Sequence, residues 1–387
     1  MKLIIRNAVL IDKDQSVKND LLIEDGKIVK IGELKGTACD QVIDADGKSI
    51  MPAFIDMHAH FRTPGYEYKE DFRTGFHAAL KGGFGTVCAM ANTMPVMDSS
   101  AEIQKNVLHA EKMNLLRYIQ VAAVGLDLHD QVLSDHTSLR MHTPIFSNDG
   151  NTIFSEMFMI EALQSSAKND FLLCTHCQPE EQIIARDLEL LVQYGGNLHI
   201  CHVSTKKSIE MIQAAKGSGT KLTCEVTPHH LFGYEMDYKV NPPFAQKTDV
   251  QALIENIRNK TIDVLATDHA PHSQKDKENG APGIDNIEVA FPMYWKVFRE
   301  NDLSINRLSE LISANPAKLL GLNKGLIREG FDADLTMVDL EYQSKIHPET
   351  FISKSKNNPF AGRAVLGKVI FTMIGGEMKY DCTKITE

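Results

Sequence analysis

Positive charge is in deficit in this sequence: 41 Lys and Arg stand against 51 Asp and Glu, a formal net charge of −10 at pH 7. That balance works against an extended contact with nucleic acid or an anionic membrane surface, leaving only local basic pockets. Long apolar runs are missing too. No window holds the roughly 18 consecutive apolar residues of a membrane-crossing helix, and the opening Met1-Lys2-Leu3-Ile4-Ile5-Arg6-Asn7 is too short and too polar for the apolar centre of a secretion signal. Cysteine is sparse and odd in number. The seven present stand mostly inside apolar runs (Cys88, Cys174, Cys201, Cys224), as buried reduced thiols do. Cys174 and Cys177 form one C-x-x-C with no second pair at zinc-ribbon spacing, so neither a structural zinc nor a redox pair is expected there. These absences point to the cytoplasm. What is present, 43% hydrophobic and 24% charged residues in a chain of 387, is the composition of a folded protein, long enough for one large barrel with an appendage or for two domains.

The pattern along the chain changes twice. Residues 1–52 hold three strand-like runs, 3–11, 21–31 and 41–50, with Asp25-Gly26 and Asp46-Gly47 as hairpin signals. From Pro52 onward, short apolar runs at 53–60, 84–90, 118–125, 144–148, 171–176, 198–203, 221–226 and 263–268 alternate with stretches of helical spacing such as 70–81, 155–168, 180–194 and 206–216. Eight strands alternating with helices over residues 53–321 match an α/β fold of the (β/α)8, TIM-like barrel type. An open doubly wound sheet is the alternative, but no Gly-rich phosphate loop follows the first strand. After Gly321 strand patterning returns at 333–340 and 365–374, with Gly375-Gly376 as a turn. The first 52 residues are too few strands for a sandwich of their own. Residues 1–52 and 322–387 are therefore expected to pair as one small β-sandwich domain beside the barrel.

The first barrel strand ends in Asp56-Met57-His58-Ala59-His60-Phe61-Arg62. Residues two apart on a strand share a face and lie roughly 6.6 Å apart, so His58 and His60 can converge on one cation. Alone, such a pair is more often packing or hydrogen bonding. It does not stand alone, because His176 closes the fifth run, His202 lies near the end of the sixth, His229 and His230 follow the seventh, and Asp268 ends the eighth. The carboxyl ends of barrel strands surround one opening, where such residues meet. Imidazoles with a few carboxylates form a zinc-type donor set. The ligands expected on this reading are His58, His60, His176, His229 and Asp268, with Asp149, in Phe146-Ser147-Asn148-Asp149-Gly150, able to bridge two metals. His202 and His230 are expected to orient or pack against the ligands.

At this point a family resemblance becomes specific. His58-Ala59-His60-Phe61-Arg62-Thr63-Pro64-Gly65-Tyr66-Glu67-Tyr68-Lys69-Glu70-Asp71 resembles the signature of type I dihydroorotases of the amidohydrolase superfamily. So do Ala91-Asn92-Thr93-Met94-Pro95, Thr227-Pro228-His229-His230, Asn241-Pro242-Pro243 and Ala266-Thr267-Asp268-His269-Ala270-Pro271-His272, while Gly330-Phe331-Asp332-Ala333-Asp334-Leu335 resembles the superfamily's return into the β domain. The likeness covers nearly the whole chain. It implies one or two zinc ions, two favoured: His58, His60 and Asp268 on one, His176 and His229 on the other, and Asp149 between them. It also implies a substrate site in which Arg62, Asn92 and His272 grip an α-carboxylate, with His60, Asn241, Pro282 and Gly283 alongside.

The implied reaction is reversible cyclisation of N-carbamoyl-L-aspartate to (S)-dihydroorotate plus water, a step of pyrimidine biosynthesis. A metal-activated hydroxide would open the ring, with Asp268 as general acid and base. An acidic substrate needs a fixed cation, and the Arg62 guanidinium is a fork suited to a carboxylate. Lys69 and Asp71 belong to the motif but read as helix-start charge and capping. Many of the superfamily bridge their metals with a carbamylated lysine, yet no lysine lies between His136 and Asp149, which disfavours hydantoinase and dihydropyrimidinase readings. Ala245 stands where Asn-Pro-Pro-Leu-Arg is common, and the His230 to Asn241 connection looks short. The expected partners are a small-molecule substrate and a second copy in a homodimer, with association with aspartate transcarbamoylase possible. Competing readings are an inactive scaffold for that transcarbamoylase, which should have lost ligands, and an allantoinase-like enzyme, which needs no carboxylate clamp.

Overall fold

Residues 1–384 are described by a computed structural model. The two ends of the chain share one hydrogen-bonded sheet of eight strands: β1 (Lys2–Ile11), β2 (Ser16–Glu24), β3 (Lys27–Gly32), β4 (Gln41–Asp44) and β5 (Ser49–Pro52) from the start, and three late strands described below from the end. Asp25-Gly26 makes the β2–β3 hairpin, with φ of 48° and 77° at the two residues, the left-handed pair that a tight turn between strands requires. Asp46-Gly47 has the same pair of left-handed residues, φ 49° and 75°, but the hairpin expected there is not formed: β4 and β5 do not pair with each other and both run parallel to β1, so this turn is a break between two strands of one direction. Apolar residues from both ends, among them Leu3, Ile5, Leu10, Leu21, Ile23, Leu335, Met337 and Phe371, form a separate buried cluster.

The barrel strands are β6 (Phe54–Ala59), β7 (Phe84–Ala89), β8 (Arg117–Gln120), β9 (Ile145–Ser147), β10 (Leu172–Thr175), β11 (Leu198–Ile200), β12 (Leu222–Val226) and β13 (Val264–Leu265). All eight expected runs are present, and their neighbours pair in parallel. Single bridges at Ala122–Phe146 and Ala59–His269 join the three-stranded and five-stranded arcs into a circle. The helices expected at 70–81, 155–168, 180–194 and 206–216 are Phe72–Lys81, Glu156–Asn169, Glu180–Tyr194 and Lys206–Lys216. Asp71, Ser155 and Thr205 start three of them by accepting backbone N–H bonds from the first turn. Ile55, Met57, Cys88, Met90, Val121, Ile145, Cys174, Cys201, Val264 and Ala266 form a buried cluster drawn from seven of the eight strand segments, which plugs the barrel below its mouth.

The late strands are β14 (Leu335–Lys345), β15 (Ala364–Ile374) and β16 (Glu377–Asp381). β14 pairs antiparallel with β5, Leu335 opposite Pro52, so the chain re-enters the sheet beside the strand from which it left. Barrel strands are shorter than their apolar runs. β13 ends at Leu265 although the run continues to Asp268, because the last residues leave the ladder to face the mouth, and Asp268 has φ 46°. No helix among the described residues is long and apolar enough to cross a membrane.

Candidate active site

Five strand ends deliver His58, His60, Asp149, His176, His202 and Asp268 to one point. His58 Nε2 lies 3.4 Å from Asp149 Oδ1 and 3.5 Å from Asp268 Oδ1, and His60 Nε2 lies 3.3 Å from Asp149 Oδ2 and 3.3 Å from Asp268 Oδ1. Across Asp149, His176 Nδ1 and His202 Nε2 each stand 3.4 Å from Oδ1 and 2.9 Å from one another. Ligand atoms at roughly 2.0–2.1 Å from a tetrahedral zinc are roughly 3.3–3.4 Å apart, so most of these separations suit a shared cation. His58 Nε2 and Asp149 Oδ1 are buried with no hydrogen-bond partner, a condition that an ion would relieve. The donors fall into two groups, His58 with His60 and Asp268, and Asp149 with His176 and His202, the donor atoms of each within 4.8 Å. A metal fits this donor set.

Against expectation, the structure does not bring His229 into the cluster of donors, although its Nε2 is buried without a hydrogen-bond partner. β12 ends at Val226, Thr227 caps a new helix, and Pro228 occupies its first turn, so His229 is carried onto Pro228–Phe232. Its Nδ1 meets the Asn286 amide at 3.1 Å, and it belongs to none of the donor groups among the described residues. His202 takes that position. It stands two residues beyond β11, and its φ of 32° marks the bend in the chain at that point. The strand-end rule that singles out His176 and Asp268 also points to His202, and Thr227-Pro228 signals that His229 has left the strand. His230 is a packing residue as expected: Nδ1 meets Thr227 Oγ1 at 2.8 Å and Nε2 meets the Pro242 carbonyl at 3.0 Å.

Two neighbours fix imidazoles by accepting from them: Glu225 Oε1 lies 2.7 Å from His58 Nδ1 and Asn92 Oδ1 lies 2.9 Å from His60 Nδ1, which leaves Nε2 of each ring to face Asp149. The Asn241 side-chain nitrogen stands 3.1 Å from His176 Nε2 on the side of that ring away from Asp149. Glu225 is a residue that sequence reasoning missed; a carboxylate within the apolar run Leu222–Val226 is its only signal.

Residues 49–379 match the model of the Amidohydrolase family. The chain belongs to the amidohydrolase family. A dihydroorotase from Clostridium botulinum (strain Eklund 17B / Type B) is 39% identical over 396 residues, covering 98% of this chain and 100% of that one. A dihydroorotase from Bacillus cytotoxicus is 38% identical over 94% of each chain. Among solved structures, the L-hydantoinase (dihydropyrimidinase) of Arthrobacter aurescens aligns with a TM-score of 0.90 at 25% identity over 97% of this chain and 95% of its own. The dihydropyrimidinase of Brevibacillus agri NCHU1002, with a TM-score of 0.87 at 23% identity over 98% and 95% of the two chains, shares the fold.

In this amidohydrolase the donors border a cavity of about 200 Å³ that is also lined by Arg62, Asn92, Asn241, His272, Pro282 and Gly283. Every residue expected to touch substrate therefore faces one space. Arg62 Nε donates to the Pro271 carbonyl at 3.2 Å, and Nη2 lies 3.2 Å from His272 Nε2. Burial brings the Arg62 guanidinium down to about 10, still charged at neutral pH. Burial also opposes charge on His58, yet Asp149, Glu225 and Asp268 hold its pKa well above the ordinary value. Against the same opposition from burial, His58, His176 and His202 hold Asp149 well below the usual carboxylate range, and His58 and His60 do so for Asp268. Asp149 and Asp268 are paired with protons on the imidazoles, and a divalent cation would neutralise the two carboxylates in place of those protons.

Proposed function

We infer that this amidohydrolase is a dihydroorotase of type I, interconverting N-carbamoyl-L-aspartate and dihydroorotate plus water. The observation that carries the reading is the placement of a half-buried guanidinium, Arg62, with His272 in the same cavity as a metal-type donor set. A neutral cyclic amide would need the second feature without the first. The dihydroorotase relatives at 38–39% identity support the same activity. Zinc is the metal best suited to this imidazole-rich set, with His58, His60 and Asp268 holding one ion, His176 and His202 a second, and Asp149 shared between them. The reading carries with it a homodimer in the cytoplasm.

When bound, zinc supplies Lewis acidity that polarises a carbonyl oxygen and acidifies water to near neutrality. Asp268, ionised and flanked by His58 and His60, takes a proton from water as the ring amide opens and returns it to the departing ring nitrogen. In closure the same carboxylate takes the proton from the carbamoyl nitrogen. Arg62, Asn92 and His272 hold the α-carboxylate, while Asn241 and the backbone at Pro282-Gly283 border the ring. Closure consumes a proton, so acid pH favours the ring and alkaline pH the open chain.

The test is ultraviolet-monitored ring opening of dihydroorotate by purified, metal-analysed protein, with a chelated control and with allantoin and dihydrouracil as rival substrates. Metal-dependent turnover of dihydroorotate alone is expected. Turnover of a neutral amide in its place, or none with zinc bound, would overturn the reading.

A further inference from the structure

Lys69, which its place at a helix start assigns to solvated charge, is turned toward His272, a residue that lines the substrate cavity. Its Nζ stands 3.3 Å from His272 Nδ1 while Arg62 Nη2 stands 3.2 Å from His272 Nε2, so one imidazole is held between two cations. The Lys69 side chain is 16% exposed and lies 3.7 Å from Asp276 Oδ2, with the Tyr66 and Tyr68 rings each 5.5 Å from the ammonium. Asp276 is itself fixed, accepting from Ser273 N and Oγ at the start of Gln274–Glu278.

Ammonium and guanidinium groups only donate, and a neutral imidazole has one lone pair and one N–H. Both contacts cannot be hydrogen bonds at once. A lysine ammonium is a compact point charge, whereas the arginine charge is spread over a plane. An imidazole N–H aimed at Lys69 therefore costs more than one aimed at the edge of Arg62, and the lone pair belongs at Nδ1. Nε2 then carries the hydrogen, and two adjoining donors, His272 Nε2–H and the Arg62 fork, face the cavity with no acceptor between them. A carboxylate oxygen satisfies both. In the opposite tautomer Nε2 would accept from Arg62, and the pair would be satisfied without a ligand.

We propose that Lys69 is a positioning residue for substrate recognition: it holds His272 in the Nε2–H tautomer, so that His272 and Arg62 present paired donors to a carboxylate. The identity of that carboxylate rests on the dihydroorotase reading; the tautomer does not. The test is nitrogen-15 NMR of histidine-labelled zinc enzyme without substrate, His272 being assigned by loss of its signals in His272→Gln. A lone-pair Nδ1 and a protonated Nε2 are expected in the parent protein, with a shift toward Nδ1–H in Lys69→Met and a weaker Nε2–H preference in Lys69→Arg, where a spread charge stands on both sides of the imidazole. In the same variants KM for dihydroorotate should rise about tenfold in Lys69→Met, the loss of one charge-assisted bond, while kcat falls far less, and Lys69→Arg should lie between the two. An Nδ1–H tautomer in the parent, or a Lys69→Met protein with tautomer and KM both unchanged, would overturn the proposal. The expected tautomer with no turnover of dihydroorotate would instead uphold the positioning role and overturn the choice of substrate.

Discussion

Glu225 Oε1 lies 2.7 Å from His58 Nδ1, and that contact decides which nitrogen of His58 faces Asp149 and Asp268. The same carboxylate meets His199 Nε2 at 3.1 Å through Oε2. Burial opposes its charge, but His58 and His199 hold its pKa at about 2, so it is an ionised acceptor for both rings. In Glu225→Gln one of the two oxygens becomes an NH₂ group, which cannot accept. Zinc affinity should fall about 10- to 100-fold, the usual effect of losing a carboxylate behind a ligating histidine. Competition with a chelator of known affinity measures it, and unchanged affinity would reduce Glu225 to packing.

His202 and His229 make a paired test of the ligand assignment. His202→Ala removes a ring nitrogen 3.4 Å from Asp149 Oδ1, and metal content should drop by one ion per chain at limiting zinc. His229→Ala should keep its metal but leave the buried Asn286 amide short of a partner, at a cost of about 1–3 kcal/mol. Metal analysis beside urea unfolding separates the two effects. Metal lost from His229→Ala and retained in His202→Ala would restore the assignment made from the sequence.

The barrel was legible because each strand is a short apolar run ending in a polar residue, and the β2–β3 hairpin because it carries the Asp-Gly turn at Asp25-Gly26; the same dipeptide at Asp46-Gly47 joins two strands that both run parallel to β1, a pairing that local spacing does not encode. Strand-end position also located His58, His60, Asp149, His176 and Asp268. It did not foresee that His229 lies outside the donor groups, because adjacency to a strand was given more weight than the helix start at Thr227-Pro228. Glu225 and Lys69 were missed for a different reason. Their roles depend on groups far along the chain, His58 and His272, and neither periodicity nor local spacing encodes which long-range neighbour a side chain meets. The third connection was also obscure: between β8 and β9 the chain forms a one-turn 3-10 segment, Leu126–Leu128, and the short helix His136–Leu139 in place of a long amphipathic helix.

His230 makes acid pH costly. Burial, which outweighs its bond to the Pro242 carbonyl, brings its pKa down from the ordinary 6.5 to about 4. The unfolded chain therefore binds a proton between about pH 6.5 and 4 that the folded chain refuses, and stability falls as pH drops through that window. His230→Asn, which retains a polar group but does not titrate, should show a shallower loss of thermal midpoint across the window when both proteins are held in chelator. Parallel curves would mean that His230 contributes nothing to acid sensitivity.

Gly283 tests how closely the substrate loop must approach His272. Its φ is 145°, and a Cβ there would come within 2.5 Å of the Ala270 carbonyl oxygen and 2.8 Å of His272 Cδ2. Neither neighbour is free to yield. The backbone N–H of Ala270 is bonded to Ile284, and the His272 backbone is tied by its N–H to Asn357 Oδ1 and by its carbonyl to Ser355 Oγ. Lys277 Nζ, which donates to the carbonyls of Lys239, Ala281 and Gly283, holds the loop from its other side. Gly283→Ala should therefore push the loop and the His272 ring apart, lowering kcat/KM for dihydroorotate by about 10²-fold, as about 1 Å misplacements of binding groups do. Zinc content should stay intact, because no metal-type donor touches Gly283. Steady-state kinetics with metal analysis on one preparation decides the matter: retained activity would mean that the loop relaxes freely, and lost zinc would mean that the strain reaches Asp268.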